Sequence, residues 1–201
     1  MTITRAIREI HAIPDGWVVV ESVSRADQGL IVSLAVRKGK TGQRLGSWEI
    51  RCRGVRELQI SDLSGGGIRL YASGHPAANQ FVSPMVRLSC ATGDHTVRAL
   101  GTLAAAHLAA TDDWIPVERY LPLGSCANGR VAVRAPAFLA RVYVRALRKA
   151  GFGVRLSPRQ SPPRSRKHPR VLHLGNSFVI ADAFEVRSGL ANNEMQRTKH
   201  R

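Results

Sequence analysis

Trp48-Glu-Ile-Arg-Cys-Arg53 decides the fold class, because its apolar and charged residues alternate without a break. A strand turns successive side chains to opposite faces, so Trp48, Ile50 and Cys52 share one face while Glu49, Arg51 and Arg53 share the other. One apolar and one charged face mark a strand of an antiparallel sheet with a single buried side. On the N-terminal side, Leu30, Val32, Leu34 and Val36 alternate with smaller or polar neighbours, and Trp17 to Val23 is a β-branched run. Between them and Trp48 lies Arg37-Lys-Gly-Lys-Thr-Gly-Gln-Arg44, whose two glycines and polar neighbours suit a hairpin tip.

On the C-terminal side, Glu57 to Ser61 and Ile68 to Tyr71 flank Ser64-Gly-Gly-Gly67, which reads as a second hairpin. Met85 to Cys90 alternates again, with Val86, Leu88 and Cys90 inward and Arg87 and Ser89 outward. A helix is expected from about His95 to Ala110, capped by Asp94 and burying Val97, Leu100, Leu103, Ala104 and Leu108. Asn128-Gly129 turns into a short strand, Val131 to Val133. Pro136 then opens a second helix that Gly151 closes, with Phe138, Leu139, Val142, Tyr143, Ala146 and Leu147 on its apolar side. Short strands are expected around Val154, over Val171 to Leu174 and over Phe178 to Ala181.

These elements predict an α+β fold: an antiparallel sheet of about five or six strands with one packed helix, then a smaller basic strand–helix–strand extension. The corresponding domains are a strand-rich core over 1–121, a basic extension over 122–188 that belongs to the same unit, and a disordered tail over 189–201.

Charge divides the chain more sharply than structure does. The 201 residues carry a formal net charge of +16. Residues 1–118 hold 13 basic and 11 acidic side chains, so that portion is close to neutral. From Arg119 to Ala181 there is no acidic residue at all, against thirteen Arg and Lys. Such an excess predicts an acidic partner. Arg141, Arg145, Arg148 and Lys149 share one face of the second helix and are the expected ordered contacts. Arg164, Arg166, Lys167 and Arg170, in a Pro/Ser/Arg segment read as a mobile loop, are the expected contacts that order on binding.

Motifs for catalysis are weak. Gly39-Lys40-Thr41 resembles the end of a phosphate-binding loop, but Leu34 occupies the position of its first glycine and a strand follows where that motif needs a helix. Ser177, in Gly175-Asn-Ser-Phe-Val179, lacks the last glycine of a nucleophile elbow. Cys52, Cys90 and Cys126 are too few and too widely spaced for a disulfide framework or a zinc site. Cysteine usage and the lack of an apolar leader make the cytosol the expected compartment. No catalytic residue, cofactor or metal is assigned.

Trp48 to Val55, His75-Pro76, Asp113 to Tyr120 and Gly175 to Ala181 resemble blocks of a poorly characterised group of bacterial proteins of unknown function. The resemblance carries over no catalytic residue. It implies that front and back form one unit and that the tail after Ser188 lies outside it.

The favoured function is therefore a non-enzymatic binding protein whose basic C-terminal surface holds an acidic macromolecule, with nucleic acid the foremost instance. Two other classes stand beside it. One is an enzyme with a small pocket near His107, Asp112, Asp113, Trp114 and Cys126, where a histidine beside a carboxylate suits general-base work or a thiol suits nucleophilic attack. The other is a protein-interaction module with no nucleic-acid role, its charge a solvated face.

Overall fold

The computed structural model describes residues 1–27, 29–61, 66–121, 126–157 and 168–189. It is an α+β protein with two antiparallel sheets. The chain forms two compact units, one from Met1–His75 with the segment from Lys167 onward and one from Pro76–Arg166. The division expected at residue 121 does not coincide with these limits. The second unit is inserted in sequence between two neighbouring strands of the first.

The first unit holds α1 (Ile3–His11), β1 (Gly16–Ala26), β2 (Gly29–Lys38), β3 (Arg44–Gln59), β4 (Ile68–Tyr71) and, after the insertion, β9 (Arg170–Leu174) and β10 (Ser177–Gly189). Its six strands pair in the order β1-β2-β3-β10-β9-β4. The alternation at Trp48, Ile50 and Cys52 holds: all three are buried, and they join Val32, Leu34 and Val36 in one core. Each such buried aliphatic side chain contributes roughly 1.5–3 kcal/mol relative to exposure. α1 adds Ile3, Ala6 and Ile10 to the core and packs against β1, β4 and β10. The sheet curls until Val18 of β1 exchanges two backbone hydrogen bonds of 3.3 Å with Gly66, just ahead of β4.

That curl corrects the second expected hairpin. Glu57 and Leu58 do not face Ile68 to Tyr71; they pair with Ile180 and Val179 of β10, and β4 pairs with β9 instead. The returning strand wins because it extends a ladder running from Ser47 to Gln59 and buries Val179, Ala181, Phe184 and Val186 against the β3 face. Gly66 serves a close approach of backbones, since a Cβ there would stand 2.1 Å from the Cα of Gly175. Ser64 and Gly65 lie outside the described residues. β3 bulges near Arg56, whose guanidinium clamps both carboxylate oxygens of Asp182 at 3.0 and 3.2 Å.

The second unit contains α2 (Pro76–Asn79), β5 (Met85–Ala91), α3 (Thr96–Thr111), β6 (Cys126–Ala127), β7 (Arg130–Pro136), α4 (Ala137–Lys149) and β8 (Val154–Leu156). Its sheet runs β6-β7-β5-β8. Asn128 and Gly129, with φ of 51° and 66°, make the tight turn from β6 to β7. α3 and α4 both pack here, so the helix expected to serve the large sheet belongs to the small one. Leu88, Cys90, Val131 and Val133 meet Leu103, Leu139, Tyr143 and Leu147 in the core.

Two expectations for α3 need correction. Asp94 lies in a 3₁₀ turn, Gly93–His95, and caps nothing; His95 is the N-cap residue and makes no side-chain cap bond. The buried stripe is Ala99, Leu103, His107 and Thr111, while Val97 is 83% exposed and Leu108 46%. The helix has few charged residues to fix its orientation; the His107 ring bonds to Tyr143 of α4 and to the Ile115 carbonyl hold that face inward, and Thr111 satisfies its hydroxyl on the His107 carbonyl of the same helix.

Candidate functional site

Alternation along β5 and β7 sends Leu88, Cys90, Val131 and Val133 toward the helices and the residues between them to the opposite, open face. On that open face Arg87 stands directly opposite Arg134, and both are exposed. Like charges placed opposite each other across an antiparallel pair destabilise a sheet. Two residues along, Ser89 faces Ala132 on one side and Arg155 of β8 on the other, and Arg130 faces Ala91. Four arginines thus project from one small sheet face.

A cleft of about 530 Å³ lies over the Arg87–Arg134 pair, lined also by Met85, Arg119 and Tyr120. The support beneath it is built. Gln80, 8% exposed, accepts hydrogen bonds through its Oε1 from Arg119 Nη1 and from the Tyr120 hydroxyl, both at 2.9 Å. Its Nε2 donates to the carbonyl of Ala77 at 2.9 Å, which fixes the amide orientation. Gln80 is neutral, so it positions Arg119 without cancelling the guanidinium charge. A second cleft of about 440 Å³ touches Ser89, Ala91, Arg130 and Arg155 on the same sheet. Among the described residues, neither cleft is lined by a carboxylate.

The sequence-predicted contacts fall elsewhere. Arg141, Arg145, Arg148 and Lys149 are all exposed on α4, on the side away from Leu139, Tyr143 and Leu147. They share one helix face, but α4 covers the inner side of the sheet, so this face and the Arg87–Arg134 face look in different directions. Arg164, Arg166 and Lys167 lie outside the described residues. Arg170, expected in the mobile loop, instead opens β9 in the first unit, pairs with Ala181 and stacks its guanidinium 5.8 Å from the Phe184 ring centroid. Burial of that apolar ring beside the cation holds it in place.

The alternative pocket does not assemble among the described side chains. His107 has no exposed surface; its Nδ1 lies 2.6 Å from the Tyr143 hydroxyl and its Nε2 2.7 Å from the Ile115 carbonyl. Because a carbonyl only accepts, Nε2 carries the proton, and Nδ1 accepts from Tyr143. Burial, with Tyr120 nearby, pushes the Tyr143 phenol up, so it stays a donor. Asp112 and Asp113 are exposed at left-handed φ of 48° and 61°, ending α3. Trp114 is half-buried beyond them, its backbone N–H bonded to the Thr111 carbonyl at 3.0 Å. The backbone of Cys126 pairs with Val131, and its side chain lies outside the described set. No group of three metal-ligating side chains occurs among the described residues, and no described helix is long and apolar enough to cross a membrane.

No family model, curated protein or solved structure matches the chain. Arg87 was legible as an outward residue of its strand, and Arg119, Arg130, Arg134 and Arg155 as members of the acid-free run. What local spacing lacked was the register that sets them side by side.

Proposed function

We propose that the chain is a binding protein for an acidic macromolecule, nucleic acid foremost, and that the open face of the four-stranded sheet holds it. The carrying observation is the cross-strand placement of Arg87 opposite Arg134. Two guanidiniums set side by side on one sheet face offer parallel N–H donors to the oxygens of a phosphate. Arg119, Arg130 and Arg155 extend the positive field over both clefts. Guanidinium forks match phosphate geometry and stay charged at every physiological pH. Arg141, Arg145, Arg148 and Lys149 on α4 offer charge but line neither of these two clefts.

The test is fluorescence anisotropy with short labelled RNA and DNA, titrated with salt. The wild-type chain is compared with Arg87→Gln/Arg134→Gln and with a variant in which the four α4 cations become Gln. Five phosphate contacts on a single strand predict a log–log salt slope of roughly −3.5, and loss of two predicts roughly −2.1. The sheet variant is expected to lose most of the binding and the α4 variant little. Binding that survives in the sheet variant and fails in the α4 variant returns the site to the helix.

A further inference from the structure

The sheet face carries more than charge, and its layout selects among nucleic acids. Resting on the polyanion-binding reading above, we infer that the two clefts form a track for an unpaired strand, with the Tyr120 ring as a platform for one base.

Three observations carry this. First, the cationic positions are extended rather than clustered. Arg134 and Arg130 lie four residues apart on β7, which places their backbones roughly 14 Å apart at about 3.4 Å per residue. One small anion cannot occupy both clefts, whereas a chain bearing a phosphate at every nucleotide passes over each in turn. Second, the larger cleft is not a bare cationic hollow. Tyr120 and Met85 line it beside Arg87 and Arg134. Tyr120 also packs against the core cluster and is pinned by its hydroxyl to Gln80, so the ring is held in place before any ligand arrives. A pre-positioned aromatic beside guanidiniums is what an unstacked base needs, and every base offers a π-face to it. Third, about 530 Å³ falls within the range of pockets that enclose small organic groups. Stacked bases inside a duplex cannot present a face to such a concave site, and a flat row of phosphates would leave Tyr120 and Met85 unused. The recognised chemistry is therefore phosphodiester plus exposed base, with little sequence readout: the polar side chains of the larger cleft are guanidiniums and the Tyr120 hydroxyl, which Gln80 engages, and the second cleft adds the Ser89 hydroxyl to its two guanidiniums.

The experiment uses the full chain and three probes: a labelled oligothymidylate, a DNA duplex of the same length, and inorganic polyphosphate as a competitor without bases. The oligothymidylate is expected to bind about tenfold or more tightly than the duplex and to resist polyphosphate compared at equal phosphate concentration. Tyr120→Phe is expected to retain that preference, because the ring remains. Tyr120→Leu is expected to weaken single-strand binding roughly fivefold or more and to weaken duplex and polyphosphate binding by a smaller factor, so that the single-strand preference shrinks. Photocrosslinking of wild-type protein to an oligonucleotide carrying halogenated pyrimidines guards against a variant that fails to fold. Adducts are expected on Tyr120 or Met85, and adducts confined to α4 would overturn the inference. Equal binding of all three probes would also overturn it while leaving a general polyanion site intact. Failure of every probe to bind at low salt would remove both readings together.

Discussion

The hydroxyl of Tyr143 on α4 donates to Nδ1 of His107 on α3 at 2.6 Å, inside a core where neither side chain has exposed surface. With Nε2 already committed to the Ile115 carbonyl at 2.7 Å, the imidazole is a cross-brace between two helices and the segment that follows α3. Removing the donor strands a buried acceptor, because the other tautomer would merely strand the Ile115 carbonyl instead. Tyr143→Phe is therefore expected to cost about 1–3 kcal/mol in urea unfolding. An unchanged midpoint would mean the pair contributes nothing beyond packing.

Two glycines in different surroundings predict opposite outcomes. Gly66→Ala would drive its Cβ to 2.1 Å from the Cα of Gly175, and backbone on both sides leaves no flexible atom to give way. That substitution is expected to be among the severely destabilising ones, above roughly 4 kcal/mol. Gly101 sits exposed within α3 with nothing within 4 Å of a built Cβ. Gly101→Ala is expected to stabilise by about 0.5–1 kcal/mol. Thermal denaturation of the two variants side by side checks both signs.

His173 on β9 faces Arg69 across the β4 ladder and lies 6.1 Å from the Tyr71 ring by centroid. Burial first, and the Arg69 charge second, push its pKa below the ordinary 6.5. The unfolded chain then binds a proton at a pH where the folded chain does not. The associated stability is fully present above 6.5 and is lost as pH falls from there through the lowered folded value. His173→Gln is expected to flatten the pH dependence of the unfolding midpoint over that interval. A wild-type curve that is already flat there would refute it.

Burial pushes the Cys52 thiol up to about 12 and raises that of Cys90 as well. At pH 8 both are thiols rather than thiolates, and neither is a ready nucleophile. Alkylation mapped by mass spectrometry is expected to spare these two positions in the native protein and to reach them in denaturant. Rapid native labelling of Cys52 would show that the first unit opens on the labelling timescale.

How far the fold could be read from sequence follows from where each signal resides. β1 to β3 announce themselves through a β-branched run in β1, large apolar residues at every second position in β2 and apolar–charged alternation in β3, and the partner is the next strand along. The β3–β10 pairing is invisible to such reading, since Val55 meets Ala181 only after the whole second unit has intervened. The inward face of α3 was hidden for another reason. With Arg98 the sole formally charged residue among Thr-Val-Arg-Ala-Leu-Gly-Thr-Leu-Ala-Ala-Ala-His-Leu-Ala-Ala-Thr, size is the remaining guide, and it points to Val97 and Leu108. The helix instead buries small Ala99 together with His107 and Thr111, whose polar atoms find partners. The arginine face divides in the same manner: its charges are written in the sequence, and its geometry comes from strand register.

Insertion of one unit between β4 and β9 also sets a timetable for the nascent chain. β1, β2 and β3 leave the ribosome early, but the strand that completes β3 on its second side appears 126 residues after its partner position, judged from Val55 and Ala181. At about 5–20 residues per second, β3 waits roughly 6–25 s with an open edge. The middle unit, complete in sequence by then, has time to fold first, so the half-built sheet is the species that a holdase chaperone would meet.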